Sequence, residues 1–188
     1  MTRQISDTLI FENKKYHLND ELLEKFFKSF PDKKPEFEIS CTALWRGYIA
    51  TFEIKNDQLF VKEMEMLLDS DFKMKSIVNQ IFPNNNKFEW FSGLIRIDNF
   101  KGEFDEEPKD AKFEYLEIKN GNLIQKRTMN FLELQIFKKE QYEYFIMSED
   151  VKPIYELFKK NNEGITEDRI NEIISEYILY YTREVYVD

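Results

Sequence analysis

Twice along the chain the same short frame recurs: "FEIKNDQLFVKEM" over residues 52–64 and "LEIKNGNLIQKRTM" over 116–129, the second one residue longer. Each places alternating apolar residues on either side of an Asn-Asp or Asn-Gly pair. Those dipeptides accept the two consecutive positive φ angles of a tight hairpin turn, so the flanking residues are constrained to be neighbouring antiparallel strands. An internal duplication would leave this echo. So would two independent hairpins drawing on common turn chemistry, which needs less to have happened.

Other stretches extend the pattern. "DTLIFENKKYHL" predicts a small opening hairpin that turns near Glu12-Asn13, "EWFSGLIRID" predicts a strand, and "FLELQIF" with "YEYFIMS" predicts a further hairpin. About nine short strands joined mostly by tight turns argue for an α+β chain. Its expected sheet is an antiparallel meander, open to curling towards a barrel.

Helices are expected at about 20–30 and 71–82. Asn19 is the expected cap of the first, with Leu18 and Leu23 as a hydrophobic staple and Pro31 and Pro35 ending it. Met74, Ile77, Val78, Ile81 and Phe82 form the apolar stripe of the second.

The last forty residues read differently. A helical pair is expected at Val151–Asn161 and Glu167–Tyr181, the second capped by Thr166 and stapled by Ile165 and Ile170. Its stripe of Ile170, Ile173, Ile174, Tyr177, Ile178 and Tyr181 can cover the sheet or meet a partner. "REVYVD" reads as an edge strand. The expected organisation is one domain: a β-rich part over 1–150 with a helical extension, 151–188, packed on it.

The formal net charge of −9 sets the electrostatics. A phosphate backbone would be repelled, and the short basic pairs lie beside acids or turns, so nucleic acid is not an expected partner; a basic protein is an easier one. One cysteine, Cys41, permits no internal disulfide and agrees with a reducing cytoplasm. No apolar run approaches the length of a membrane helix, and the N-terminus lacks the hydrophobic core of a signal peptide. With 18 Phe, 10 Tyr and 2 Trp the interior should be rich in rings, as a packed core or as a ring-lined ligand pocket.

The residue inventory is poor in catalytic kits. One histidine, His17, and one cysteine leave no usual zinc set, and no metal site is expected. No serine sits in a nucleophile elbow, and the five glycines form neither a phosphate loop nor a dinucleotide fingerprint, so no cofactor is expected. The acidic run Glu103–Glu107 lacks the spacing of a calcium loop. No residue is nominated as catalytic, and an enzyme is the less expected class.

"SCTALWRGYIATFEI", residues 40–54, poses the sharpest question. Read as one strand, it places Arg46 on the apolar face with Leu44, Tyr48, Ala50, Phe52 and Ile54. A bare guanidinium there would be costly. Gly47 can mark a bulge that re-aims Arg46, Arg46 can pair with a buried carboxylate and stack on a ring, or it can meet an anionic ligand. "WFSGLIRI" partly repeats the motif, with Trp90, Gly93 and Arg96. The candidate ligand-binding cleft is therefore Trp45, Arg46, Tyr48, Trp90 and Arg96. The plainer reading makes both Trp–Gly pairs packing devices and both arginines structural.

"TALWRGYIATFEIKNDQLFVKEME" followed by "FPNNNKFEWFSGLIRI" resembles a family of uncharacterised bacterial proteins that share a Trp-Arg-Gly-Tyr strand and a Trp-Phe-Ser-Gly-x-Leu-Arg-Ile strand. The opening "DTLIFENKKYHLNDELLEKFF" is similar to the start of that family, so the likeness covers about residues 7–125, with Phe52 where Trp is as common. It implies no established activity, substrate or catalytic residue. The leading functional expectation is a non-catalytic cytoplasmic protein that binds a protein partner, as an immunity or accessory protein. The alternatives are a binder of a small anionic ligand through Arg46 and Arg96, and a hydrolase or lyase built from carboxylates and tyrosines.

Overall fold

The computed structural model describes residues 4–36, 42–67, 73–97 and 111–187. Its strands are β1 (Asp7–Phe11), β2 (Lys14–Leu18), β3 (Tyr48–Lys55), β4 (Gln58–Leu67), β5 (Met74–Ser76), β6 (Gly93–Arg96), β7 (Phe113–Lys119) and β8 (Asn122–Met129). Its helices are α1 (Leu22–Ser29), α2 (Val78–Ile81), α3 (Phe131–Met147), α4 (Val151–Asn161), α5 (Glu167–Glu176) and α6 (Ile178–Tyr181). Hairpins form where turn chemistry puts them. Glu12-Asn13, Asn56-Asp57 and Asn120-Gly121 all have positive φ at both residues and join β1 to β2, β3 to β4, and β7 to β8.

The strands form one mixed sheet of order β2-β1-β3-β4-β8-β7-β6, with β5 added to β4, and it does not close into a barrel. The two echoing hairpins meet turn to turn. The Leu59 N–H donates to Gly121 O and the Leu123 N–H donates to Asp57 O, both at 2.8 Å, while Gln58 pairs with Asn122. When the two frames are aligned these are the same positions exchanged, so the turns sit about a local twofold. The likeness stops there: β1 lies parallel beside β3, whereas β6 lies antiparallel beside β7.

The main core covers one face of the sheet. Leu9, Tyr48, Ala50, Phe52, Val61, Ile95, Leu116 and Ile118 face α1, which buries Leu22, Leu23, Phe26 and Phe27 against them. Phe88 is the hub of the rings, in contact with Phe26, Phe52, Phe82, Trp90 and Phe91. Burying such a side chain contributes about 1.5–3 kcal/mol. β6 and β7 are covered on both faces: Leu94, Phe113 and Tyr115 point the other way and pack with Met129, Leu134 and Phe137 of β8 and α3. A third cluster, Phe145, Val151, Ile170, Ile174 and Ile178, ties α3 to the helices after it. Ile170, Ile174 and Ile178 of the stripe expected to face a sheet or a partner are spent here, whereas Tyr177 stays exposed.

Several expectations are corrected. The sheet is not purely antiparallel, because β1 and β3 are joined through β2 and α1, a connection long enough to allow parallel pairing. Residues 131–147 are one helix, not a hairpin. Asn130 and Glu133 form a reciprocal capping box, and "KKEQ" offers no residue suited to positive φ. The strand count falls to eight accordingly, and the helical part begins at Phe131. The helix expected over 71–82 is a short strand, β5, drawn onto the end of β4, followed by the single turn α2; residues 71 and 72 lie outside the described residues. Asn19 does not cap α1, whose first turn has no side-chain cap. Thr166 does cap α5, but the helix breaks at Tyr177 before α6. Residues 183–187 of "REVYVD" are not a strand, and Asp188 lies outside the described residues. Cys41 and the Glu103–Glu107 run lie outside the described residues.

Candidate functional site

Arg46 is not in a strand. Residues 44–47 form a turn closed by the Gly47 N–H donating to Leu44 O, and Gly47 takes φ +77°, a conformation that spares only glycine its strain. The turn throws Trp45 outward, 53% exposed, and Arg46 inward, 4% exposed. Arg46 donates from Nη1 and Nη2 to both carboxylate oxygens of Asp7, at 3.0 and 3.2 Å, and from Nη2 to Ile5 O. Its guanidinium lies 5.3 Å from the Tyr48 ring centroid, and the Ala50 N–H also donates to Asp7. Burial pushes the Asp7 carboxyl above its usual value, although Arg46 and the Ala50 N–H pull it down. Tyr48, fully buried, donates to Glu24, and burial together with the Glu24 and Asp7 carboxylates drives its hydroxyl far above the ordinary tyrosine range. Arg46 and Tyr48 thus face each other, but neither presents a surface to a ligand.

The other three nominated residues lie elsewhere. Trp90 is in a turn before β6 and packs on Phe26, Phe30 and Phe88. Arg96 lies over the Phe113 ring and lines a cavity with Asn19 and Asp20. Gly93, which the plainer reading pairs with Trp90 as a packing device, has φ +137° and faces the Thr182 carbonyl.

Around Trp90, however, a cleft of about 230 Å³ opens between α1, the start of β6 and the C-terminal helices. Lys25 and Lys28 reach it from α1, and Arg183 reaches it from the segment after α6. The Arg183 guanidinium lies 4.8 Å from the Trp90 ring centroid, and the Lys25 ammonium lies 3.9 Å from that of Tyr180. Leu94, Ile154 and Leu157 supply apolar wall, and among the described residues no acidic side chain lines the cleft. Burial pushes the Lys25 amine below its usual pKa, the charges of Lys28 and Arg183 push the same way, and Asp20 opposes them. Burial likewise raises Asp20, against the pull of Lys25 and Arg96.

Sequence reasoning found Trp90 and missed the cations. Lys25 and Lys28 share a helical face at i, i+3, a readable signal, but an ordinary solvated face reads the same. Nothing in the sequence ties that face to Tyr180, 155 residues further on. Among the described residues no three His, Cys, Asp or Glu side chains gather as a metal cage, and no helix is long and apolar enough to cross a membrane.

The fold and cleft define an α+β protein with a cationic, ring-walled depression on an acidic molecule. No family model matches the chain, and neither a curated protein nor a solved structure matches it. The likeness over about residues 7–125 rests on the sequence stretches quoted above.

Proposed function

We propose that this chain is a non-catalytic binding protein whose cleft holds a small organic anion with a flat ring. The observation that carries the reading is the concentration of Lys25, Lys28 and Arg183 on a cleft that no acid lines among the described residues, in a chain of net charge −9. Cations that form no ion pair among the described residues attract an anion on an acidic molecule, and the Trp90 and Tyr180 rings, on which Arg183 and Lys25 rest, wall the cleft with aromatic surface. The volume falls below the ~300 Å³ at which ligand pockets usually begin, so the ligand is small. The anion-binding role expected of Arg46 and Arg96 passes to these three residues. The single cysteine supports the cytoplasm as the place of action.

A thermal-shift panel of benzoates, aryl phosphates and inorganic phosphate tests this. A ligand at a hundred times its Kd adds about 2.7 kcal/mol, which for a chain of this size is a rise of about 5–11 °C. The rise shrinks with added salt and in Arg183→Ala and Lys28→Ala. A panel without any response, or a response indifferent to both substitutions, defeats the reading.

Action through a protein partner, as an immunity or accessory protein, is the second reading. It draws support from α3, where Leu132 is 68% and Met147 74% exposed. Its mark would be a stoichiometric complex lost in Leu132→Glu and Met147→Glu while the cleft still binds its anion; a complex indifferent to both would count against it.

A further inference from the structure

We propose that Lys25 is a reactive amine that condenses with the carbonyl of a small anionic aromatic aldehyde or ketone, the anion resting on Lys28 and Arg183, to form an imine. The inference rests on the anion-binding reading of the same cleft and names the class of ligand it takes.

The geometry singles out Lys25 among the three cations. Lys28 and Arg183 are exposed at the rim, whereas Lys25 is half-buried. Among the described residues no carboxylate lies within ion-pair distance of its ammonium. Its polar contact is the Tyr180 carbonyl, at 3.4 Å a weak bond, and the Tyr180 ring covers one side of it. An amine attacks only as the free base, and a lysine gains free base when it is desolvated beside other cations. Both conditions hold, through burial and through Lys28 and Arg183, with Asp20 acting against them. The same rim cations that favour the free amine attract the anionic end of the ligand. A flat ring against Trp90 spans the short distance between anion and carbonyl.

The step balances without any other reactant. The neutral Lys25 nitrogen attacks the carbonyl carbon, a C–N bond forms, and the C=O π pair moves to oxygen. Water entering the cleft protonates that oxygen and takes the proton from nitrogen. The carbinolamine then releases the oxygen as water and leaves C=N. Nothing is oxidised or reduced, and one water is produced for each imine.

The test uses 4-formylbenzoate and its alcohol counterpart, 4-(hydroxymethyl)benzoate, on the whole chain. After borohydride reduction, peptide mapping of the unmodified protein should place the label on Lys25 at least about tenfold above any other lysine, as expected of one activated amine. The alcohol should protect Lys25 from labelling. Lys25→Arg should lose the adduct. Label spread evenly over Lys14, Lys28 and Lys119, or absent from Lys25 while the alcohol still binds, overturns the amine assignment and leaves the anion cleft standing. An alcohol that neither binds nor protects overturns the cleft reading itself. Mapping in the unmodified protein keeps the proposal falsifiable if Lys25→Arg does not fold.

Discussion

Removing the Asp7 carboxylate is the most severe single test of the interior. In Asp7→Ala, Arg46 keeps its charge at a position 4% exposed and loses both of its 3.0–3.2 Å bonds to the carboxylate. Ile5 O remains, and Glu21, at 3.7 Å from Nε, is half in solvent and a poor substitute. The Ala50 N–H loses its acceptor as well. Breaking one side of a buried pair costs about 3–5 kcal/mol because it strands the other charge. For a chain of this size that is a fall of about 6–20 °C in Tm, at 2–4 °C per kcal/mol. Arg46→Met alone should cost a comparable amount through the stranded Asp7. The double variant Asp7→Leu/Arg46→Met should be far less damaging than the sum of the two, since an apolar pair of similar volume replaces an ion pair at little net cost. Urea unfolding of the four proteins gives the coupling directly. Additive losses, or an Asp7→Ala cost below about 1 kcal/mol, would refute the view that the guanidinium is sealed and held by Asp7.

Alkaline stability should report Tyr48. Its folded-state hydroxyl stays protonated well above pH 10, while the unfolded chain ionises at pH 10. Stability is therefore unaffected below pH 10 and falls above it by about 1.4 kcal/mol per pH unit, and Tyr48→Phe should flatten that fall in urea midpoints measured from pH 8 to 11. Gly121→Asn should cost more than about 1 kcal/mol although asparagine accepts the turn's φ, because its Cβ would meet Phe88 O at 2.7 Å; at the equivalent position in the other hairpin, Asp57→Gly should stay within about 0.5 kcal/mol. Chemical denaturation of both variants checks the contrast, and equal costs would sink it. Gln141→Leu should lose about 1–3 kcal/mol, the value of two hydrogen bonds, and weaken anion binding in a Trp45→Phe background in which Trp90 alone fluoresces. Unchanged affinity would separate the C-terminal segment from the cleft.

What the sequence made legible was local. Asn56-Asp57 and Asn120-Gly121 specify their turns within four residues, and Leu22, Leu23, Phe26 and Phe27 mark one face of α1 within two turns. The errors arose where a local pattern served two structures. "FLELQIF" alternates well enough for a strand, yet Leu134, Phe137, Gln141 and Phe145 recur at helical spacing and the capping box decides between them. Met74 to Ile81 carries a helical stripe, but Met74–Ser76 pair with backbone at the end of β4 instead. Arg46 was legible as an oddity, and one of the three escapes considered for it describes what is found: a carboxylate with a ring receives the cation, while Gly47 closes a turn before β3 rather than marking a bulge within a strand. Which carboxylate was not legible, because Asp7 is 39 positions away and reads as the start of an ordinary strand. The cleft was out of reach for the same reason, since its cations come from opposite ends of the chain.

That remoteness has a physical consequence. Arg183 reaches the cleft only because the segment after α6 is strapped down. Gln141, fully buried on α3, donates to Glu184 O and accepts from the Tyr186 N–H, so one amide side chain does for this segment what a neighbouring strand would do. Tyr186 in turn donates to Asp150, and Arg127 of β8 donates to Val187 O. Residues 183–187 are bonded in this way, yet among the described residues they pair with no strand. Its hold is therefore only as strong as the packing of α3 on β8, the cluster built on Phe113, Met129 and Phe137. On the proposed reading, an anion held by Lys28 on α1 and by Arg183 on this segment would bridge the sheet core and the helical part. Its binding free energy adds to the contacts that keep the two together, because a ligand that requires both stabilises only the state in which both are in place.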